Sequence, residues 1–207
     1  MGNLNKAMLT GFVIDSKGIE FEPSKGKSFL TIRSDRNSGT PDDIIVEIPE
    51  KFKDTFREWS WVRVSGKFRS RWGRINGRKK VFLYLESDSI GMEGKLLINN
   101  VEMEGYICKK PVLRKTPLGK TVCEIYIAVN EHKRSDYIPC ICWYELAQKV
   151  SEMKIGTKVK LKGRMQSRNY WKKQPDDSYI EKTAYEISIG KMEEVKREKS
   201  NFEKNKR

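Results

Sequence analysis

The sequence predicts an all-β protein of two tandem five-stranded Greek-key barrels, with one short helix per domain, and three observations predict it. The 207 residues repeat themselves, the repeated stretches alternate apolar and polar residues with the period of strands, and each copy holds a single window of helical spacing. Trp61 to Arg71 (WVRVSGKFRSR) lies over Lys158 to Arg168 (KVKLKGRMQSR) at an offset of 97, with Val62/Val159, Gly66/Gly163, Ser70/Ser167 and Arg71/Arg168 identical. Asn5 to Phe12 lies over Asn99 to Tyr106 at an offset of 94, pairing Gly11 with Gly105 and Phe12 with Tyr106; Asp43-Ile-Ile-Val over Asp136-Tyr-Ile-Pro forms a weaker third block. The expected organisation is a diverged first domain over 1–93, a second over 94–190 and a basic, mixed-charge, disordered tail over 191–207. The domains join near Ile90 to Leu96, where Gly91 and Gly94 loosen the chain.

Within the second copy, Val159, Leu161 and Gly163 alternate with Lys158, Lys160, Lys162 and Arg164, the pattern of a half-buried strand with a basic outer face. Val122, Ile125, Ile127 and Val129 mark another strand, Ile138 to Trp143 a third and Tyr179 to Ile189 a fourth. Leu146, Ala147 and Val150 give Tyr144 to Met153 one apolar helical face, and Phe52 and Phe56, four apart, predict a helix over Glu50 to Glu58 in the first copy. The order strand, strand, strand, helix, strand, strand, twice over, is that of the OB-fold.

Charge narrows the partner. With 42 Lys+Arg against 28 Asp+Glu the net charge is +14, divided as +4 over 1–94, +7 over 95–190 and +3 over 191–207. Such a surplus calls for an anionic partner. No apolar run approaches the ~20 residues that span a bilayer, so no membrane partner is expected. The start, MGNLNKAMLTGF, has no basic segment leading into an apolar stretch, so a cytoplasmic address is expected. In that compartment Cys108, Cys123, Cys140 and Cys142 read as reduced core residues.

An enzyme is not expected. The single histidine, His132, sits in the polar turn EHKRSD, and no phosphate loop, H-E-x-x-H or G-x-S-x-G motif occurs. Asp42/Asp43 and Asp176/Asp177 sit beside Pro41 and Pro175 and read as turn-formers, and Cys140-x-Cys142 lacks a second ligand pair for zinc. Hence no catalytic residue, cofactor or metal is expected.

A polyanion-binding surface is. Single-stranded nucleic acid needs cations along its backbone and aromatic faces for its bases. Phe68 to Lys80 carries six cations and Trp72 around a predicted hairpin tip at Asn76-Gly77; its counterpart carries Arg164, Arg168, Lys172 and Lys173 around Tyr170 and Trp171. Phe52, Phe56 and Phe82 read as core by periodicity, Trp59 and Trp61 as packing at the start of a strand, and Tyr126 fits either face.

Laid out in order, the second half resembles the bacterial single-stranded DNA-binding protein family. The matching text is Asn100-Val-Glu-Met-Glu-Gly-Tyr106, Leu113-Arg-Lys-Thr-Pro-Leu-Gly-Lys120, Ile127-Ala-Val-Asn130, Ile138 to Ala147, Gly156 to Arg164 and Ser167-Arg-Asn-Tyr170. The resemblance implies base stacking on Tyr137, Trp143 and Tyr170 and a phosphate contact at Arg114 in a basic turn; in the first half only Arg71 and Trp72 carry over. Two domains per chain resemble the minority of the family that reaches four OB-folds as a homodimer. A basic end departs from the family's acidic tip, through which replication proteins dock. The expected function is binding of single-stranded DNA with little sequence specificity, in replication, recombination, repair or DNA transfer. Stacking would fall to Trp72, Tyr137, Trp143, Tyr170 and Trp171, and phosphate contacts to Arg71, Arg74, Arg78, Arg114, Arg164, Arg168, Lys172 and Lys173. RNA binding and a primosome-like protein-interaction module are the alternatives.

Overall fold

A computed structural model describes residues 4–15, 19, 21–36, 39–75, 78–92, 94, 96–132, 134–174 and 176–195. The first copy forms strands β1 (Asn5–Ile14), β2 (Lys27–Ser34), β3 (Asp42–Pro49), β4 (Trp61–Ile75) and β5 (Arg78–Met92). They are ordered β1-β2-β3-β5-β4 and return to β1, antiparallel except for β3–β5. β1 closes the barrel by pairing with β4 over Ala7 to Phe12 and with β2 over Phe12 to Ile14. The second copy repeats the circuit with β6 (Asn99–Ile107), β8 (Thr121–Glu131), β9 (Arg134–Trp143), β10 (Lys158–Lys173) and β11 (Tyr179–Glu194), again with one parallel pair, β9–β11. A short sixth strand, β7 (Val112–Lys115), lies on β8, so Arg114 stands in a strand and not in the expected turn.

The repeated glycines sit where backbones approach closely. A Cβ on Gly66 would lie 2.0 Å from the Glu86 carbonyl oxygen and one on Gly163 2.3 Å from that of Ser188. In both barrels the register of the long hairpin shifts at that residue. These bulges increase the bend and twist of the strand as it turns from barrel wall into projecting hairpin.

The helices of the two copies differ. Helix α1 (Tyr144–Ser151) buries Ala147 and Val150 and leans Leu146 on the core. In the first barrel the expected helix over Glu50 to Glu58 is a single 3-10 turn, Glu50–Phe52. Its apolar face is only Phe52 and Phe56, 6.3 Å apart, and two rings do not stabilise further turns. β11 runs to Glu194, opposite Val159, so Lys191 to Glu194, expected in the tail, are sheet; residues 196–207 lie outside the described residues. Likewise β5 continues to Met92, which narrows the junction to the segment before Asn99. That segment is pinned to β1: Thr10 donates its amide to the Ile98 carbonyl at 2.7 Å, and Ile98 donates its own to Thr10 Oγ1 at 2.7 Å.

β1 and β6 pair antiparallel, from Asn5↔Met103 to Leu9↔Asn99, and join the two barrels into one sheet with one continuous apolar core. Beside this seam two carboxylates cross from barrel to barrel. Asp136 accepts the Ser70 amide at 2.7 Å and Arg69 Nη1 at 3.0 Å, while Ser70 Oγ accepts the Tyr137 amide at 2.8 Å and Arg134 donates to the Ser70 carbonyl at 3.1 Å. In mirror image, Asp42 accepts the Ser167 amide at 2.9 Å and Arg164 Nη1 at 2.6 Å, Ser167 Oγ accepts the Asp43 amide at 2.8 Å, and Arg36 donates to the Ser167 carbonyl at 3.1 Å. The true equivalent of Asp136 is therefore Asp42, at the offset of 94 that also relates Asn5 to Asn99. The third sequence block was one residue out of register, and Asp42 is no turn-former.

Both carboxylates are wholly buried, and removal of one partner from such a pair costs about 3–5 kcal/mol. Asp136→Ala and Asp42→Ala are each expected to lose about that much stability in urea titrations followed by circular dichroism. The four thiols are free, with Cys123, Cys140 and Cys142 buried. Burial raises the thiols, Cys142 up to about 12 and Cys108 as well, so native protein is expected to react slowly with a thiol probe, and at the half-buried Cys108 alone, while all four thiols react once unfolded.

Candidate nucleic-acid interface

Side chains alternate across a strand, so the register decides which candidates share a surface. On β9, Ile138, Cys140 and Cys142 enter the core while Tyr137, Pro139 and Trp143 line the outer face. On β10 the same outer face carries Arg164, Gln166, Arg168, Tyr170 and Lys172, opposite Ser188, Glu186, Ala184, Lys182 and Ile180 of β11. Trp143 is fixed to it by a 3.0 Å hydrogen bond from Nε1 to Ser188 Oγ, and the Arg168 guanidinium lies 5.7 Å from the centre of the Tyr170 ring. Thus Tyr137 and Trp143 of β9 and Tyr170 of β10 occupy one side of the second barrel. A groove of about 1220 Å³ crosses that side, lined there by Tyr126, Pro139, Arg168, Tyr170, Lys172 and Lys182, and runs on to the first barrel at Ile45 and Phe82.

The other two aromatic candidates are placed differently. Trp171, 66% exposed, pairs with Glu181 and stands on the opposite face of the hairpin from Tyr170. Trp72, 51% exposed, lies two residues beyond Ser70 on the same strand face. Ser70 meets Asp136 and Tyr137 of the second barrel, and strand parity puts Trp72 on that same face of β4.

The cations divide into engaged and available. Arg71 bonds Glu47 at 3.1 Å and the Glu22 carbonyl at 3.0 Å, Arg164 is held by Asp42, and Arg114 donates through Nε to Glu124 at 2.9 Å. Lys173 meets Asp177 at 2.5 Å in an exposed pair, which is worth little in water. Arg168 is only loosely matched, 3.7 Å from Glu186, and Lys172 is exposed with no ion pair among the described residues. Arg74 and Arg78 stand in β4 and β5, with Arg74 opposite Lys79; their side chains and the tip at Asn76-Gly77 lie outside the described residues.

Sequence reasoning left Tyr126 undecided, and the structure puts it in the groove. Its ring is capped by the Lys109 ammonium at 3.9 Å, and burial together with Glu124 raises its hydroxyl pKa. Strand alternation offers that position, and the register opposite Pro139 puts it on the face that lines the groove.

The model of the single-strand binding protein family matches residues 98–195, the second barrel. Single-stranded DNA-binding protein 3 of Streptococcus agalactiae serotype V is 32% identical over 92 residues, which cover 41% of this chain and 67% of that protein. The chain belongs to the single-strand binding protein family. Single-stranded DNA-binding protein 1 of Lactococcus lactis is likewise 32% identical over 92 residues, 41% of this chain and 61% of that one. The first curated relatives are thus matched over between 54 and 61% of their own length. The crystal structure of the wild-type single-stranded DNA binding protein from Thermus aquaticus covers 96% of both chains with a TM-score of 0.72 at 22% identity. That likeness extends the fold to both barrels: the protein is a tandem OB-fold member of the family.

Proposed function

We propose that the chain binds single-stranded DNA with little sequence specificity and performs no catalysis. The observation that carries this reading is the outer face of the second barrel, where Tyr137, Trp143 and Tyr170 share one side with Arg168 and Lys172. Ring faces accept any base, and a loosely matched Arg168 and an exposed Lys172 accept any phosphate, so the face favours no sequence. Strand binding of this kind protects and straightens DNA during replication, recombination, repair or transfer. Tyr126 joins the stacking set, Trp72 reaches it from the first barrel, and Trp171 contacts a strand only where it wraps the far side of the hairpin. Arg114, Arg164 and Arg71 set the shape and potential of the surface more than they meet phosphates.

The domains are taken as 1–93 and 94–194, a cytoplasmic, nucleoid-associated homodimer would bring four OB-folds together, and sedimentation reads that stoichiometry directly.

The test is tryptophan fluorescence during titration with a dT oligomer at low and high salt. Strong quenching that weakens with salt is expected, and absence of quenching would overturn the reading. Tyr170→Ala and Trp143→Ala should each cost about 1–3 kcal/mol of affinity. Lys172→Ala should lower the slope of log affinity against log salt by about 0.7, the share of one released counterion, whereas Arg71→Ala, already neutralised by Glu47, should leave the slope unchanged. Competition with a matched RNA oligomer separates DNA from RNA binding, and preference for RNA would reassign the substrate.

A further inference from the structure

Superposing the two barrels by their clamps, Asp42 on Asp136, sets β3 against β9 and β2 against β8 residue by residue. Each aromatic of the second barrel's face then has a non-aromatic counterpart in the first. Tyr137 corresponds to Asp43, Trp143 to Pro49, and Tyr126, which faces Pro139, to Thr31, which faces Ile45. At the offset of 97, Tyr170 corresponds to Gly73.

The first barrel carries aromatics of its own on that side, but they are spent on one another. Phe21, from the segment between β1 and β2, stacks on Phe82 at 4.6 Å and 17°, and Phe82 stacks on Tyr84 at 5.6 Å and 23°. Phe29 packs edge-on to Phe82 and Tyr84 at 5.3 and 6.1 Å. Tyr185 of β11 leans on the same cluster from the second barrel. The Phe21 ring fills the space that Gly73 leaves: a Cβ there would lie 2.3 Å from Phe21 Cε1. Arg71, the counterpart of Arg168, is drawn over the Tyr84 ring at 5.1 Å and tied to the buried carboxylate of Glu47. The face therefore offers neither an open ring nor an unpaired guanidinium, and Asp43 adds a carboxylate where Tyr137 would stand.

We infer that base stacking in this groove is confined to its second-barrel wall: the first barrel supplies the other wall at Thr31, Ile45 and Phe82, but its ring faces are closed from within by the Phe21 stack. This inference rests on the proposed binding of single-stranded DNA and goes beyond it by denying one of the two barrels the stacking of bases.

Amide hydrogen exchange of the full chain, with and without a saturating dT oligomer, tests it. Slowing is expected chiefly in Thr121 to Trp143 and in the β10–β11 hairpin, with a clearly smaller effect in Lys27 to Pro49. Slowing of Lys27 to Pro49 comparable to that of Thr121 to Trp143 would overturn it. A second measurement uses Phe21→Ala, expected to keep dT affinity within about twofold of wild type, while Tyr170→Ala loses roughly five- to 150-fold, the range for one stacked base. A loss of fivefold or more with Phe21→Ala would make Phe21 a stacking residue and overturn the closure. No slowing in either barrel and no measurable affinity would instead overturn single-strand binding itself, and the inference with it.

Discussion

Two buried carboxylates, Asp42 and Asp136, hold the molecule in the shape its surface requires. A carboxylate taken wholly out of water is tolerable only when its oxygens are filled by donors. Here each is filled from the other barrel, by a backbone amide and an arginine. Each therefore fixes the fourth strand of the opposite barrel at the serine, Ser70 or Ser167, beyond which that strand leaves the wall and becomes a projecting hairpin. Arg69 shows how firmly the pairing is set. Burial opposes its charge, yet the hydrogen bonds it donates to Glu86, Glu131 and Asp136 hold its guanidinium above its usual pKa. Trp72 and Tyr170 stand where they do because the residues two or three places before them cannot move.

The β1–β6 seam and the paired clamps relate the barrels by an approximate two-fold axis. In a dimer of identical chains such an interface is self-complementary, and every substitution appears on both sides. In this chain the two sides are separate positions in one sequence. Arg69 and Gln166 hold the same place, as do Gly73 and Tyr170, and Asp43 and Tyr137. The scaffold residues kept their identities while the outer faces diverged, one toward exposed rings and cations, the other toward a closed aromatic cluster.

Much of the fold was legible because strands and glycines leave local marks. The period-2 runs, Gly66/Gly163 and Gly11/Gly105, and the offset copies predict two barrels with long hairpins. The short helix of the first barrel was overread, since a spacing of four between Phe52 and Phe56 is equally served by one 3-10 turn followed by a loop. The site was legible only in part. Aromatic and basic residues are visible in a sequence, but the face each occupies depends on register and on partners more than a hundred residues away. Arg164 reads as a phosphate ligand until Asp42 is found beside it. Trp171 reads as a twin of Tyr170 until strand parity sends it to the other side. Asp42 itself was hidden by proline next door and by an alignment one residue out.

The joining of both barrels in one chain has a consequence for dilution. Two separate barrels sharing the β1–β6 seam would associate as a second-order process, and the assembled face would thin out as protein concentration fell below their dissociation constant. Here Met92 and Asn99 end and begin adjoining barrels, and Thr10 pins Leu96 and Ile98 between them. A short tether of this kind holds its two halves at an effective concentration of order millimolar whatever the bulk value. Ser70 therefore stays on Asp136 and Tyr137 in the most dilute solution, and the surface shared by the two barrels is a property of the single molecule.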